Sequence, residues 1–270
     1  MLLQWKDYLW PKQLISDSSA TWIIDCVDWA TRHFDSAEFY QRSRLILPNN
    51  QFFPGSIASV EAKAENIFQH SLKYAGLAHW PFVLSHAAPI SIAQPDQSAP
   101  ANLVFDHIAR DSQRELAPLA ACEPININYN RQQTVKPEDL SATYAHLFAQ
   151  HLLIRSKQLP PGGDSHLLEA SEVLAVCMGF GVMLANSAYT FRGGCGSCFN
   201  AAANRQSSLS EHEVVFTLAL FCQLKKIDQK QATQYLKKHL RPAFAIANRQ
   251  LAARHLNSAT NYIKAQLPLN

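Results

Sequence analysis

Residues 145–153 read AHLFAQHLL, and the reading of this run decides the fold. It lies inside a stretch that predicts one long helix. Pro137 stands where a first helical residue belongs, with Glu138 and Asp139 in the first turn to suit the helix dipole. The helix is expected to continue to about Lys157. Leu140, Tyr144, Leu147, Phe148, His151 and Ile154 share one face, and Thr143, His146, Gln150 and Leu153 share another. Gln150 is therefore the one-turn partner of His146. His151 is not, because at roughly 100° per residue five positions carry it about 140° round the axis. Without further context this is a helix with two histidines.

The flanks add context. Ile125, Ile127 and Tyr129 alternate with Asn126 and Asn128, which predicts a half-buried strand before the helix. After it, Pro160-Pro161-Gly162-Gly163 breaks the chain. Asp164 or Ser165 is expected to cap a helix from His166 to about Ser187, apolar nearly all round and so buried. Glu169 and Glu172 lie on it. A buried Glu172 needs a partner or must stay protonated; the alternative puts Glu172 beside Glu169 on an exposed edge.

Upstream, Asp17 or Ser18 caps a predicted helix to about Arg32, faced by Trp22, Ile23, Cys26, Val27 and Ala30. Leu45-Ile46-Leu47 reads as a short strand, and Phe52-Phe53-Pro54-Gly55 as an aromatic turn. Ser56 is the expected cap of a helix striped by Ile57, Val60, Ala64, Ile67, Phe68 and Leu72, ended by Trp80-Pro81. Phe82 to Leu84 and Leu103 to Phe105 are further candidate strands. The stretch 85–101 reads as a variable loop. Downstream of a Gly- and Ser-containing loop at 190–208, Ser210 and Glu213 form a capping box for a helix to Lys226. Asp228 and Gln231 repeat the pattern for a helix to about His239, and Pro242 opens a last helical region. The class expected is α+β, mostly helical: one domain over 1–270, with the small strands in an α/β part over 1–135 and a helical part over 136–270.

The chain has 270 residues, 47% hydrophobic and 17% charged, with a net charge of +3. That charge is too small to argue for nucleic acid or membrane binding. The start lacks a basic region followed by an apolar run, so no leader is expected. Val173 to Ala185 is the richest apolar stretch and suits a buried core helix better than a membrane span. Six cysteines in a chain of this length do not make a disulfide scaffold, and the expected location is the cytoplasm.

The order of strand, His146 helix, break and buried helix with Glu169 and Glu172 is similar to the gluzincin arrangement of zinc peptidases. A looser likeness extends to a group of uncharacterised bacterial proteins with an apparently intact zinc-peptidase helix. Its landmarks here are Leu47-Pro48 with Phe52-Phe53-Pro54, Gly179-Phe180-Gly181 with Ala185-Asn186-Ser187, and Arg205-Gln206 with Leu209-Ser210-Glu211. The resemblance spans about residues 45–226 and implies a zincin-like core. In such peptidases two histidines one turn apart hold the metal, the Glu after the first acts as general base, and a later helix brings the third ligand. His146 matches the first ligand, and Glu172, or else Glu169, the third, which would make His146 the natural partner of a buried Glu172. Leu147 and Gln150 replace the base and the second His. The resemblance therefore implies a vestigial site of His146, Leu147, Gln150 and Glu172, with no bound cofactor. It suggests a pseudoenzyme that binds or regulates a protein or peptide partner. One alternative is a metal-dependent hydrolase holding zinc through His146, His151, His166 and Glu172 or Glu169. The second is a helical interaction protein unrelated to zincins.

Other candidates are thinner. Cys195 and Cys198 form a single CxxC, which can be half a zinc site, a redox pair, a local disulfide or two plain thiols. Cys177 and Cys222 read as core residues, and Asp106-His107 as a surface pair. No phosphate loop, dinucleotide fingerprint or nucleophile elbow occurs.

Overall fold

A computed structural model describes residues 13–34, 36–55, 59–85, 110–111, 124–129, 131–188 and 205–254. The expected strand at 103–105, most of the loop at 85–101, Asp106-His107, Cys122, Cys195 and Cys198 lie outside them.

The helix read from the opening run is the centre of the molecule. It forms α3, Pro137–Ser156, with Pro137 in its first turn and Lys157 ending it in a left-handed conformation. From Glu138 to Ser156 no side chain is exposed. The expectation of two contrasting faces gives way to a helix enclosed on all sides, a position that its alanines and aromatics suit. It packs against α2 (Val60–Ala75), α4 (Leu167–Ala175) and α5 (Gly181–Ser187). Phe68 and Phe82 both approach Phe148, at 5.5 and 5.1 Å between ring centres.

The two strands are β1, Phe82–Ser85, and β2, Ile125–Asn128, paired in parallel with Phe82 opposite Ile125 and Leu84 opposite Ile127. These four apolar residues face inward, while Asn126 stays exposed. The predicted alternation and the pairing agree. The expected strand at 45–47 does not form. Leu45, Ile46 and Leu47 are buried but extended without a ladder, held through the amide of Ile46 on the carbonyl of Gly179 at 2.9 Å.

That carbonyl belongs to a π-type turn, Val176–Phe180, which splits the expected helix 166–187 into α4 and α5. Gly179 has φ 104°, and a Cβ there would overlap the carbonyl oxygen of Arg44. Only glycine tolerates both the conformation and the approach. Neither Asp164 nor Ser165 caps the start; a 3₁₀ turn, Asp164–His166, leads into α4 without a side-chain cap. The run Asp164–Ser187 is long and apolar enough to cross a membrane by composition, but 83% of its most apolar window is buried inside the fold, as in a core helix.

The remaining α-helices are α1 (Asp17–His33), α6 (Glu211–Leu224), α7 (Gln229–Gln234) and α8 (Leu240–Ala253). The cap of α1 is Ser16, not Asp17 or Ser18, and accepts the amide of Ser19. Asp17 instead meets Arg254. Ser59 caps α2, while Ser56 and Ile57 lie outside the described residues. The Ser210–Glu213 capping box is present in full. Asp228 caps α7, but this helix stops well before His239: Arg241 takes the carbonyls of Gln234 and Leu236, which would otherwise continue it. One buried apolar cluster runs from Ile15 to Leu251, so α1, the sheet and all the later helices share a core. The architecture is mostly helical with one small sheet.

Candidate functional site

The contact between α3 and α4 gathers the polar residues the sequence singled out. His146 lies on the α4-facing side of α3 and is 7% exposed. Its Nε2 is 2.8 Å from the hydroxyl of Ser171 and 3.3 Å from the carbonyl of Leu168. Gln150, one turn on, brings its amide nitrogen to 3.2 Å of the same ring atom. Burial pushes the His146 pKa down to about 4, against the opposing charge of Glu172, so the ring is neutral at physiological pH. A neutral ring nitrogen either donates or accepts. The Ser171 hydroxyl donates to the Leu168 carbonyl at 2.7 Å, so Nε2 either donates to the Ser171 oxygen or accepts from the Gln150 amide. Leu147 is half-buried among the core residues and carries no titratable group.

Glu172 is fully buried, which removes the reading that placed it on an exposed edge. Its partner is Arg205, not His146. The guanidinium forms an ion pair with one carboxylate oxygen, and both side chains are almost completely enclosed. The hydroxyl of Ser207 donates to Oε1 at 3.0 Å, and the amides of Ser208 and Leu209 donate to Oε2 at 2.9 and 2.7 Å. Burial alone would raise the Glu172 pKa, but Arg205 and these donors outweigh it and hold the carboxyl below its ordinary value. Arg205 also donates to the hydroxyl of Ser187 at 2.9 Å, which ties the start of the 205–210 segment to the end of α5.

The remaining candidates are dispersed. His151 sits edge-on to the Phe82 ring at 5.7 Å, on the sheet side of α3, and burial lowers its pKa to about 4. His166 lies in the 3₁₀ turn against Trp22, with ring centres 5.4 Å apart. Glu169 is half-buried, with one carboxylate oxygen enclosed and unpartnered. Among the described residues no three His, Cys, Asp or Glu side chains converge as a metal site would require. Cys26, Cys177 and Cys222 are free and buried; burial raises the Cys177 and Cys222 thiols to about 12, which makes them unreactive.

Sequence reasoning missed Ser171 and Ser207, and gave Arg205 only as a landmark of the resemblance, not as the partner of Glu172. Arg205 had one available signal. A glutamate on an otherwise apolar buried helix requires a cation, and Arg205 stands beside the capping sequence that follows the 190–208 loop. Chemically the cluster is closed on itself: a neutral imidazole, a compensated carboxylate and no base beside either. Comparison with protein-family models, curated proteins and solved structures returned no match.

Proposed function

We propose that this chain is a non-hydrolytic, zincin-like protein that binds a protein or peptide partner in the cytoplasm. The frame is supported by the order β2, α3 with His146, break, α4 with Glu172, and by the packing of α3 on α4. One observation carries the loss of chemistry. The two groups expected to reach a metal are each engaged by protein partners, His146 by Ser171 and Gln150, and Glu172 by Arg205 and the 207–209 segment. Leu147 stands where a general base would activate water, so no group at that position can take its proton. Binding is the function such a frame retains.

Metal analysis of the purified protein tests the first half. Zinc well below one per chain is expected, with no peptide hydrolysis. Stoichiometric zinc that disappears in His146→Ala would restore the metal-dependent hydrolase. A paired substitution tests the frame itself. Leu147→Glu with Gln150→His sets a second imidazole one turn from His146 and a base beside it. Zinc affinity should rise at least about tenfold. No gain in a folded double variant would discard the zincin frame and leave a helical interaction protein.

A further inference from the structure

A second site lies away from the His146 cluster. A cleft of about 290 Å³ opens between α2, the first turn of α3, α5 and the turns at 48–55. Its volume is at the lower end of the range for small-molecule sites. The α2 wall presents Lys63, Asn66 and Ile67, which share one helical face at spacings of three and four. Glu138 of α3, Met183 of α5 and Phe53 also line it. Ile67 and Met183 are buried and apolar. The two charged residues of the lining, Lys63 and Glu138, are opposite in sign. Lys63 and Asn66 are half-buried and have no hydrogen-bond or ion-pair partner among the described residues. Glu138 is held in place through Oε2, which accepts the side-chain amide of Asn186 at 2.8 Å, and its other oxygen remains available. Asn186 is fixed in turn by the carbonyl of Tyr235 at 2.8 Å and the amide of Lys237 at 3.0 Å.

We propose that this cleft binds a small zwitterion with an apolar side chain, of the class of an α-amino acid or a dipeptide. Its carboxylate meets Lys63 and Asn66, its ammonium meets the free oxygen of Glu138, and its side chain lies on Ile67, Met183 and Phe53. Two charge-assisted contacts of opposite sign select the zwitterion over either singly charged analogue. The α3 N-terminus adds no anion site, because Glu138 and Asp139 already occupy its first turn. The proposal uses none of His146, Gln150 or Glu172, so it stands or falls apart from the zincin frame.

Calorimetric titration of the full chain with leucine and with leucyl-leucine tests it and separates the two sources. N-acetyl-leucine removes the ammonium, and leucinamide removes the carboxylate. At least one zwitterion should bind, with both blocked analogues weakened at least about tenfold. Lys63→Met keeps the apolar stem, and Glu138→Gln keeps an acceptor for Asn186. Each should weaken binding by a similar factor while the circular dichroism spectrum of the free protein stays as it is, with the melting temperature unchanged in Lys63→Met and only slightly lower in Glu138→Gln, which loses its first-turn charge. No heat of binding at about 10 mM zwitterion would overturn the proposal. So would N-acetyl-leucine binding as well as leucine, or full affinity in folded Lys63→Met.

Discussion

Glu172 and Arg205 are the pair on which a single substitution should weigh most. Both are enclosed, and neither charge has water to fall back on. Arg205→Ala leaves a buried carboxylate uncompensated, and the expected loss is about 3–5 kcal/mol in urea denaturation. Replacing both residues with methionine should cost less than that single change, because the desolvation penalty goes with the charges. A loss under about 1 kcal/mol for Arg205→Ala would mean that the pair is open to solvent. The pH sign follows from the depressed pKa of Glu172. Its contribution is complete above the ordinary glutamate value near 4.5 and is lost as pH falls through the lower folded value. Among the other residues, Ser16 shows how fine the local decision is. It stands just ahead of the expected caps Asp17 and Ser18, and its extended backbone lets its hydroxyl reach the amide of Ser19.

At the scale of elements, the π-type turn is the feature with the least freedom. Gly179→Ala meets a positive φ and the Arg44 carbonyl together, and α4 and α5 hang from it. A loss above about 2 kcal/mol is expected, read from the urea midpoint. Tolerance of alanine there would show that the 43–47 segment can withdraw. The elements also mark what a sequence can disclose. Strict alternation at 125–129 and the proline start of α3 are local signals, and both elements form as read. The capping box at Ser210 and Glu213 is local too. The extended 45–47 segment depends on Gly179, which lies more than a hundred positions away, and no window of sequence contains both. The enclosure of α3 is equally non-local: its second face is polar by composition, yet α4 covers it. For the same reason Glu172 could be read as needing a partner while the partner itself, Arg205, came from another part of the chain.

For the whole molecule, acid is the predicted weakness. His146 and His151 are both held near pKa 4, the first chiefly by burial and the second by burial with Arg155 nearby. In the unfolded chain each returns to about 6.5. Between these values the unfolded state binds more protons, so stability falls as pH falls, at a slope of at most about 2.7 kcal/mol per pH unit for the two together. Urea midpoints at about pH 7.5, 6 and 5 should decline in that order. His146→Gln should reduce the slope by about half. An unchanged slope in that variant would assign the acid sensitivity to other groups.

The placement of α1 has a consequence in time. Its main packing partners are α4 and α6. The segment that leads into it is bound by the side chain of Gln250, whose amide holds both main-chain groups of Ile15 across 235 positions of sequence. During synthesis α1 therefore emerges before α4, α6 and Gln250, which cover it. At the usual rate of chain elongation, roughly 10–50 s separate its emergence from theirs. For that interval Ile23, Cys26 and Val27, all enclosed in the finished core, have no native surface to cover them. Over that interval the apolar face of α1 is open to aggregation and to any chaperone that recognises an apolar helix.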